Sequence, residues 1–340
     1  MTQELAPNRF HGGINNNLIC FDMDGVLVDV SRSYREAVRM TASLFIAGEK
    51  EPSPPLFNLA DLQAVKMKGG LNNDWDLTAY VIRLLLSLVH DIEKAGAHGN
   101  MLKEPDIDRP WNIEPVLKFA SDTERSLFSL DEENGAPEIP LVNDIYGSNN
   151  IEKNIIKRMF QEIYLGEVLF RSVYGISPVY HKERGLIDRE KPLFKAEYLK
   201  ALSKNNVLAV ATGRPKAEAD HGLVSFGFSP FFSDVMTHDH CEEEERKRLI
   251  QNGKYEHLGK PNPYMLLTLH ERFKPEKAFY IGDMPDDMVA AKNTGGKYVA
   301  VGILHTISDE NEKMKLKAAL IKAGADHVLN DARELISLLS

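Results

Sequence analysis

Residues 18–21, Leu-Ile-Cys-Phe, form an uninterrupted apolar run that ends abruptly in Asp22-Met23-Asp24-Gly25. A short run of this kind, bounded by Asp and Gly, suits a strand covered on both faces, and such strands belong to parallel sheets. Two later runs have the same form: 207–211 leads into Thr212-Gly213-Arg214, and 278–281 into Gly282-Asp283. A fourth, 298–301, precedes Gly302. Helical periodicity over 193–203, 217–226, 263–273 and 286–294 separates them. Strand alternating with helix predicts an α/β fold with a doubly wound parallel sheet.

The periodicity changes between about 33 and 188. There 34–45, 77–90, 151–165 and 167–173 read as amphipathic helices, with no strand-like alternation between them. This predicts an inserted all-α domain at 33–188, inside a core built from 18–32 and 189–340. A length of 340 residues accommodates both. Residues 1–17 are polar and read as a disordered leader, while 93–140 is polar and turn-rich with weak helical character near 115–127. Glu242–Glu245 followed by Arg246-Lys247-Arg248 reads as a solvated helix face. His238-Asp239-His240-Cys241 reads as a polar loop, because no second ligand pair stands at zinc spacing.

Composition narrows the class of function. The net charge is −9, and nucleic-acid partners need a basic face to displace counterions from phosphates. Cys20 and Cys241 are the only cysteines and are far apart in sequence, which suits a reduced, cytoplasmic setting. The apolar stretch 80–90 contains Arg83 and falls short of the ~20 residues of a membrane span.

In an open α/β sheet, ligands bind outside the carboxyl ends of the strands, so the polar clusters that end the apolar runs should meet. Asp22, Asp24, Asp283 and Asp287 offer carboxylates, Thr212 a hydroxyl and Lys260 an ammonium. Carboxylate oxygens of this kind suit Mg²⁺, which keeps coordination places free for a substrate phosphate. Lysine facing them would neutralise phosphoryl oxygens.

Four ordered motifs carry a family resemblance: FDMDGVLVD at 21–29, ATGR at 211–214, GKPNP at 259–263 and IGDMPDD at 281–287. With them the sequence resembles the haloacid dehalogenase (HAD) superfamily of hydrolases, and the helical insert after the first motif resembles the cap of subfamily I. The resemblance implies a Mg²⁺-dependent phosphatase acting on a small-molecule phosphomonoester. It makes Asp22 the nucleophile, Asp24 the general acid and base with its carbonyl on the metal, Thr212 a phosphoryl donor and Lys260 the partner of both nucleophile and phosphate. Asp283 would ligate the metal directly and Asp287 through water, with Asp286 as substitute, while Gly25, Gly213 and Arg214 would line the phosphate. Dehalogenases of the superfamily lack an aspartate at the position of Asp24, so carbon–halogen cleavage is disfavoured.

The segment Lys66-Met67-Lys68-Gly69-Gly70-Leu71-Asn72-Asn73-Asp74-Trp75-Asp76 resembles a HAD subgroup with a GGxNNDW cap signature. It makes Lys68, Asn73 and Trp75 candidate substrate contacts, with a structural loop capped by Asn and Asp as the competing reading. A phosphomutase, a phosphonate-cleaving enzyme using Lys66 or Lys68 as a Schiff base, and a non-catalytic phospholigand-binding module are the alternative functions. Nothing in the residue pattern addresses oligomeric state.

Overall fold

The structure is a computed structural model that describes residues 16–67, 73–89, 102–103, 106–107, 109, 111–148, 150–307 and 309–339. Ten strands occur among these: β1 Asn17–Phe21, β2 Val28–Asp29, β3 Leu102–Lys103, β4 Asp106–Ile107, β5 Lys191–Pro192, β6 Asn206–Ala211, β7 Asp234–Met236, β8 Lys277–Gly282, β9 Val299–Ile303 and β10 His327–Leu329. The chain divides into two compact units, one of Met1–Asp29 with Lys191–Ser340 and one of Val30–Glu190.

The first unit is built on a six-stranded sheet in the order β10-β9-β8-β1-β6-β7. Every pairing in it is parallel. Leu18, Ile19, Cys20 and Phe21 are completely buried, as strands covered on both faces require. β1 is flanked on both sides, and Phe21 lies level with Val210 of β6 and with Ile281 of β8. Asp22, Thr212 and Asp283 therefore follow the ends of three neighbouring strands. Asp22 is fixed there by its own N–H, which donates to the Ile281 carbonyl at 2.8 Å.

Two strands of this sheet have no counterpart in the sequence reading, because β7 and β10 are only three residues long. The segment 238–241 also differs from expectation. It is the first turn of the helix His238–Asn252, not a loop. Thr237 and the His240 side chain form a capping box at its start. Ion pairs Glu243–Lys247 (2.7 Å) and Glu244–Arg248 (3.0 Å) line its outer face. Only Cys241 and Glu245 are buried along it, so it offers no apolar stripe for a sequence argument to detect.

The second unit has its own apolar core, built from helices Tyr34–Ala47, Leu59–Met67, Asp74–Leu86, Glu114–Ser121, Leu127–Asn134, Pro140–Tyr146 and Ile155–Tyr174. Among the described residues its regular structure is helical apart from the β3–β4 ribbon, whose strands pair antiparallel. The helices read separately at 151–165 and 167–173 form one span, Ile155–Tyr174, interrupted at Gly166 with φ 71° and ψ 172°. A Cβ on Gly166 would stand 2.2 Å from the Gly185 backbone nitrogen, so a side chain would block this backbone crossing.

Both cysteines are buried and free. Burial pushes the Cys20 thiol up to about 12, which leaves it unreactive. Among the described residues, no helix is long and apolar enough to cross a membrane.

Candidate active site

The turn after β1 exposes its chemistry because its backbone folds back on itself. N–H groups of Leu27 and Val28 both donate to the Met23 carbonyl, at 2.8 and 2.9 Å, and Gly25 N–H donates to the Val28 carbonyl at 2.9 Å. Gly25 adopts φ +69°, and a Cβ there would lie 1.9 Å from Asp283 Oδ2. Glycine at 25 thus lets the Asp283 carboxylate approach the turn that carries Asp22 and Asp24.

Lys260 joins two of the acids. Its Nζ lies 2.7 Å from Asp22 Oδ1 and 2.7 Å from Asp287 Oδ1. Burial works against its charge, yet the Asp22 and Asp287 carboxylates overcome this and hold the ammonium protonated well above its ordinary range. Asp287 also accepts from Tyr280 Oη at 3.0 Å and from the Met284 N–H at 3.0 Å. With its oxygens so engaged, Asp287 is a rigid bracket for Lys260. Asp283 has no comparable set of donors among the described contacts. Burial, reinforced by Asp287 and Asp22, pushes its carboxyl well above the usual range.

Asp22 responds to the same surroundings. Burial, with Asp287 and Asp24 close by, pushes it up to about 7 against the pull of Lys260. Oxygens of Asp22, Asp283 and Asp287 fall within 4.8 Å of one another. Three carboxylates confined with one ammonium leave excess negative charge in a partly desolvated space, and oxygen donors alone fit a hard divalent cation.

These directions set an expected stability profile for the metal-free chain. Between the ordinary 3.8 and about 7, folded Asp22 holds a proton that the unfolded chain has lost, so stability falls as pH rises through that interval. The slope is at most about 1.4 kcal/mol per pH unit. Melting curves in EDTA should show a decline between roughly pH 4 and 7 that Mg²⁺ reduces, because metal binding requires the deprotonated acids. An Asp22→Asn variant should show a shallower decline, with the share that comes from the raised Asp283 carboxyl remaining; an unchanged profile in that variant would refute the Asp22 contribution.

The remaining expected residues take separate places. Thr212 is buried at the end of β6, and its Oγ1 accepts from the Arg214 N–H at 3.2 Å. Gly213 is exposed, with nothing within 4 Å of where a Cβ would stand, so its position is open sterically. Arg214, expected to line the phosphate, has a completely buried side chain whose Nε donates to Asp24 Oδ1 at 2.5 Å. Asp286 sits in the first turn of the helix Pro285–Lys292, outside the Asp22–Asp283–Asp287 cluster.

In the second unit, Asn73 caps the helix Asp74–Leu86, its Oδ1 accepting from the Trp75 N–H at 2.8 Å. Trp75 is 9% exposed, with Lys157 Nζ 3.5 Å from its ring centroid. Both side chains thus have structural duties that any ligand role would share. Lys68 lies outside the described residues, as do 69–72 and residues 1–15 of the expected leader.

Sequence reading missed two neighbours of the site. Tyr280, completely buried in β8, steadies Asp287; a polar residue inside an apolar run is its only signal. His305 follows β9 and its Nε2 lies 2.9 Å from the Gly25 carbonyl oxygen. Burial lowers its pKa, so a neutral ring donating from Nε2 supports the turn. Its position after a parallel strand end was the available clue.

Residues 195–301 match the sequence profile described as haloacid dehalogenase-like hydrolase. That range contains Thr212, Lys260, Asp283 and Asp287, while Asp22 and Asp24 precede it. No curated protein sequence matches the chain. An X-ray structure from the Northeast Structural Genomics Consortium is 20% identical with a TM-score of 0.63, covering 96% of this chain and 98% of the other. The phosphatase Tt82 from Thermococcus thioreducens is 23% identical with a TM-score of 0.51, covering 89% of this chain and 99% of the other. Both likenesses are to the fold.

Proposed function

We propose that this chain, an enzyme of the haloacid dehalogenase-like hydrolase type, cleaves small phosphomonoesters through an aspartyl-phosphate on Asp22. The observation that carries the reading is Lys260 bridging Asp22 and Asp287 at 2.7 Å each, with Asp283 drawn in beside Gly25. An ammonium fixed against a carboxylate at a strand end neutralises an approaching phosphoryl group without blocking the carboxylate's attack.

In this reading the Asp22 carboxylate attacks phosphorus as the ester P–O bond breaks, and the leaving oxygen takes a proton from Asp24. Asp24 then accepts a proton from water, which attacks the phosphorus of the acyl phosphate and releases inorganic phosphate and free Asp22. Thr212 donates to a phosphoryl oxygen once its hydroxyl turns outward. Lys260 holds the charge of both nucleophile and phosphate. Asp22, Asp283 and the Asp24 carbonyl would hold Mg²⁺ directly, with Asp287 through water; when bound, the ion neutralises phosphoryl oxygens during transfer. These core residues address only the phosphoryl group.

The test is release of inorganic phosphate from a panel of small phosphomonoesters, including histidinol phosphate, phosphoglycolate and p-nitrophenyl phosphate. Hydrolysis should require Mg²⁺, vanish in EDTA and return on adding Mg²⁺. Absence of turnover across the panel, with Mg²⁺-dependent binding of phosphate retained, would favour a non-catalytic phospholigand-binding module instead.

A further inference from the structure

Asp24 and Arg214 form the most asymmetric ion pair near the site. The Arg214 side chain is 0% exposed and that of Asp24 is 34% exposed, with Nε and Oδ1 2.5 Å apart. Only the carboxylate end of the pair meets solvent. The main chain that carries Arg214 is fixed as well. Arg214 N–H donates to Thr212 Oγ1 at 3.2 Å, and its carbonyl accepts from the His238 N–H at 2.9 Å.

To reach a ligand, this buried guanidinium would have to give up its 2.5 Å pairing with the Asp24 carboxylate, and breaking a buried pair costs several kcal/mol. Arg214 is therefore poorly placed to reach a ligand and well placed to aim a neighbour. We infer that Arg214 is a positioning residue, which fixes the Asp24 carboxylate for proton transfer and makes no contact with substrate. The inference rests on the proposed phosphatase reading, in which Asp24 protonates the leaving oxygen. Asp24 hangs from a turn by two rotatable bonds, and holding it in one orientation removes an ordering cost from the step it serves. Misplacement by about 1 Å of a group acting in the transition state costs on the order of 10²-fold.

The readout is dependence on the leaving group. An alkyl ester needs a proton on its departing oxygen, whereas p-nitrophenolate leaves readily without one. Arg214→Met should lower kcat about 100-fold on an alkyl phosphomonoester and no more than about 10-fold on p-nitrophenyl phosphate, with KM little changed. In an Asp24→Asn background the same substitution should add less than about 3-fold, because residues acting as a unit are non-additive. Arg214→Lys should recover part of the loss, keeping the charge without the planar fork.

Several results overturn the inference while leaving the phosphatase reading intact. They are equal losses on both esters, additive losses in the Asp24→Asn background, a KM effect dominating on both esters, or faster turnover, which would make Arg214 a restraint. If Arg214→Met fails to fold, Arg214→Lys carries the same cycle, judged by the same ester ratio and additivity. If the unmodified chain hydrolyses neither ester with Mg²⁺, the phosphatase reading fails first and this inference falls with it.

Discussion

Asp22→Asn is expected to lower kcat/KM on any phosphomonoester by about 10⁴-fold or more, the scale seen when a covalent nucleophile is removed. Folding should survive, since the amide keeps the shape of the side chain and its backbone N–H still donates to Ile281. In EDTA the variant should melt at an equal or higher temperature than the unmodified chain above about pH 7. There it relieves a carboxylate that burial and two acidic neighbours make costly to ionise. Activity, melting curves and capture of beryllium fluoride as a phosphoryl mimic make the check. Loss of turnover and of capture, with melting unimpaired, is the expected set. Normal hydrolysis by Asp22→Asn would end the covalent reading, whatever the metal dependence.

Asp22, Lys260 and Asp283 were legible in the sequence for a local reason. Each stands in or just beyond a short apolar run or a Gly-rich turn, and parallel strands turn such sequence positions into neighbours in space. The partner of Arg214 was not legible. Its pairing with Asp24 spans 190 positions, and the depth of its side chain depends on how the helix Lys216–Ser225 lies against it. Tyr280 and His305 were hidden similarly, one inside an apolar strand and one beyond the end of its run. The charge run 242–248 was readable as a solvated helix face, but the first turn at 238–241 escaped because a capping box, not an apolar stripe, declares the start of that helix.

The inserted unit shows the same limit more sharply at Glu162 and Glu167, five positions apart in one helical span. To a sequence reader both are acids on an amphipathic helix. In the structure Glu162 is completely buried, and its Oε2 accepts from the N–H groups of Val179, Tyr180 and His181 at 2.9, 2.5 and 3.0 Å. Its Oε1 accepts from Arg158 Nε at 3.0 Å, and the Arg158 side chain is only 6% exposed. One carboxylate thus satisfies three backbone donors of the 179–181 segment and a buried guanidinium. Glu167 pairs with Arg171 at 2.9 Å, but both side chains are substantially exposed.

Glu162→Ala should therefore cost about 3–5 kcal/mol, because it strands a buried charge and leaves backbone donors without an acceptor. Glu167→Ala should cost no more than about 1 kcal/mol, the usual scale of an exposed pair. At roughly 2–4 °C per kcal/mol for a unit of this size, Glu162→Ala should lower Tm by about 10 °C and Glu167→Ala by only a few degrees. Double substitution of Glu162 with Arg158→Met should recover part of the loss, since an uncompensated ion costs more than a missing pair. Equal melting temperatures for the two single variants would show that water reaches Glu162 and that the 177–184 segment is held by something other than this carboxylate.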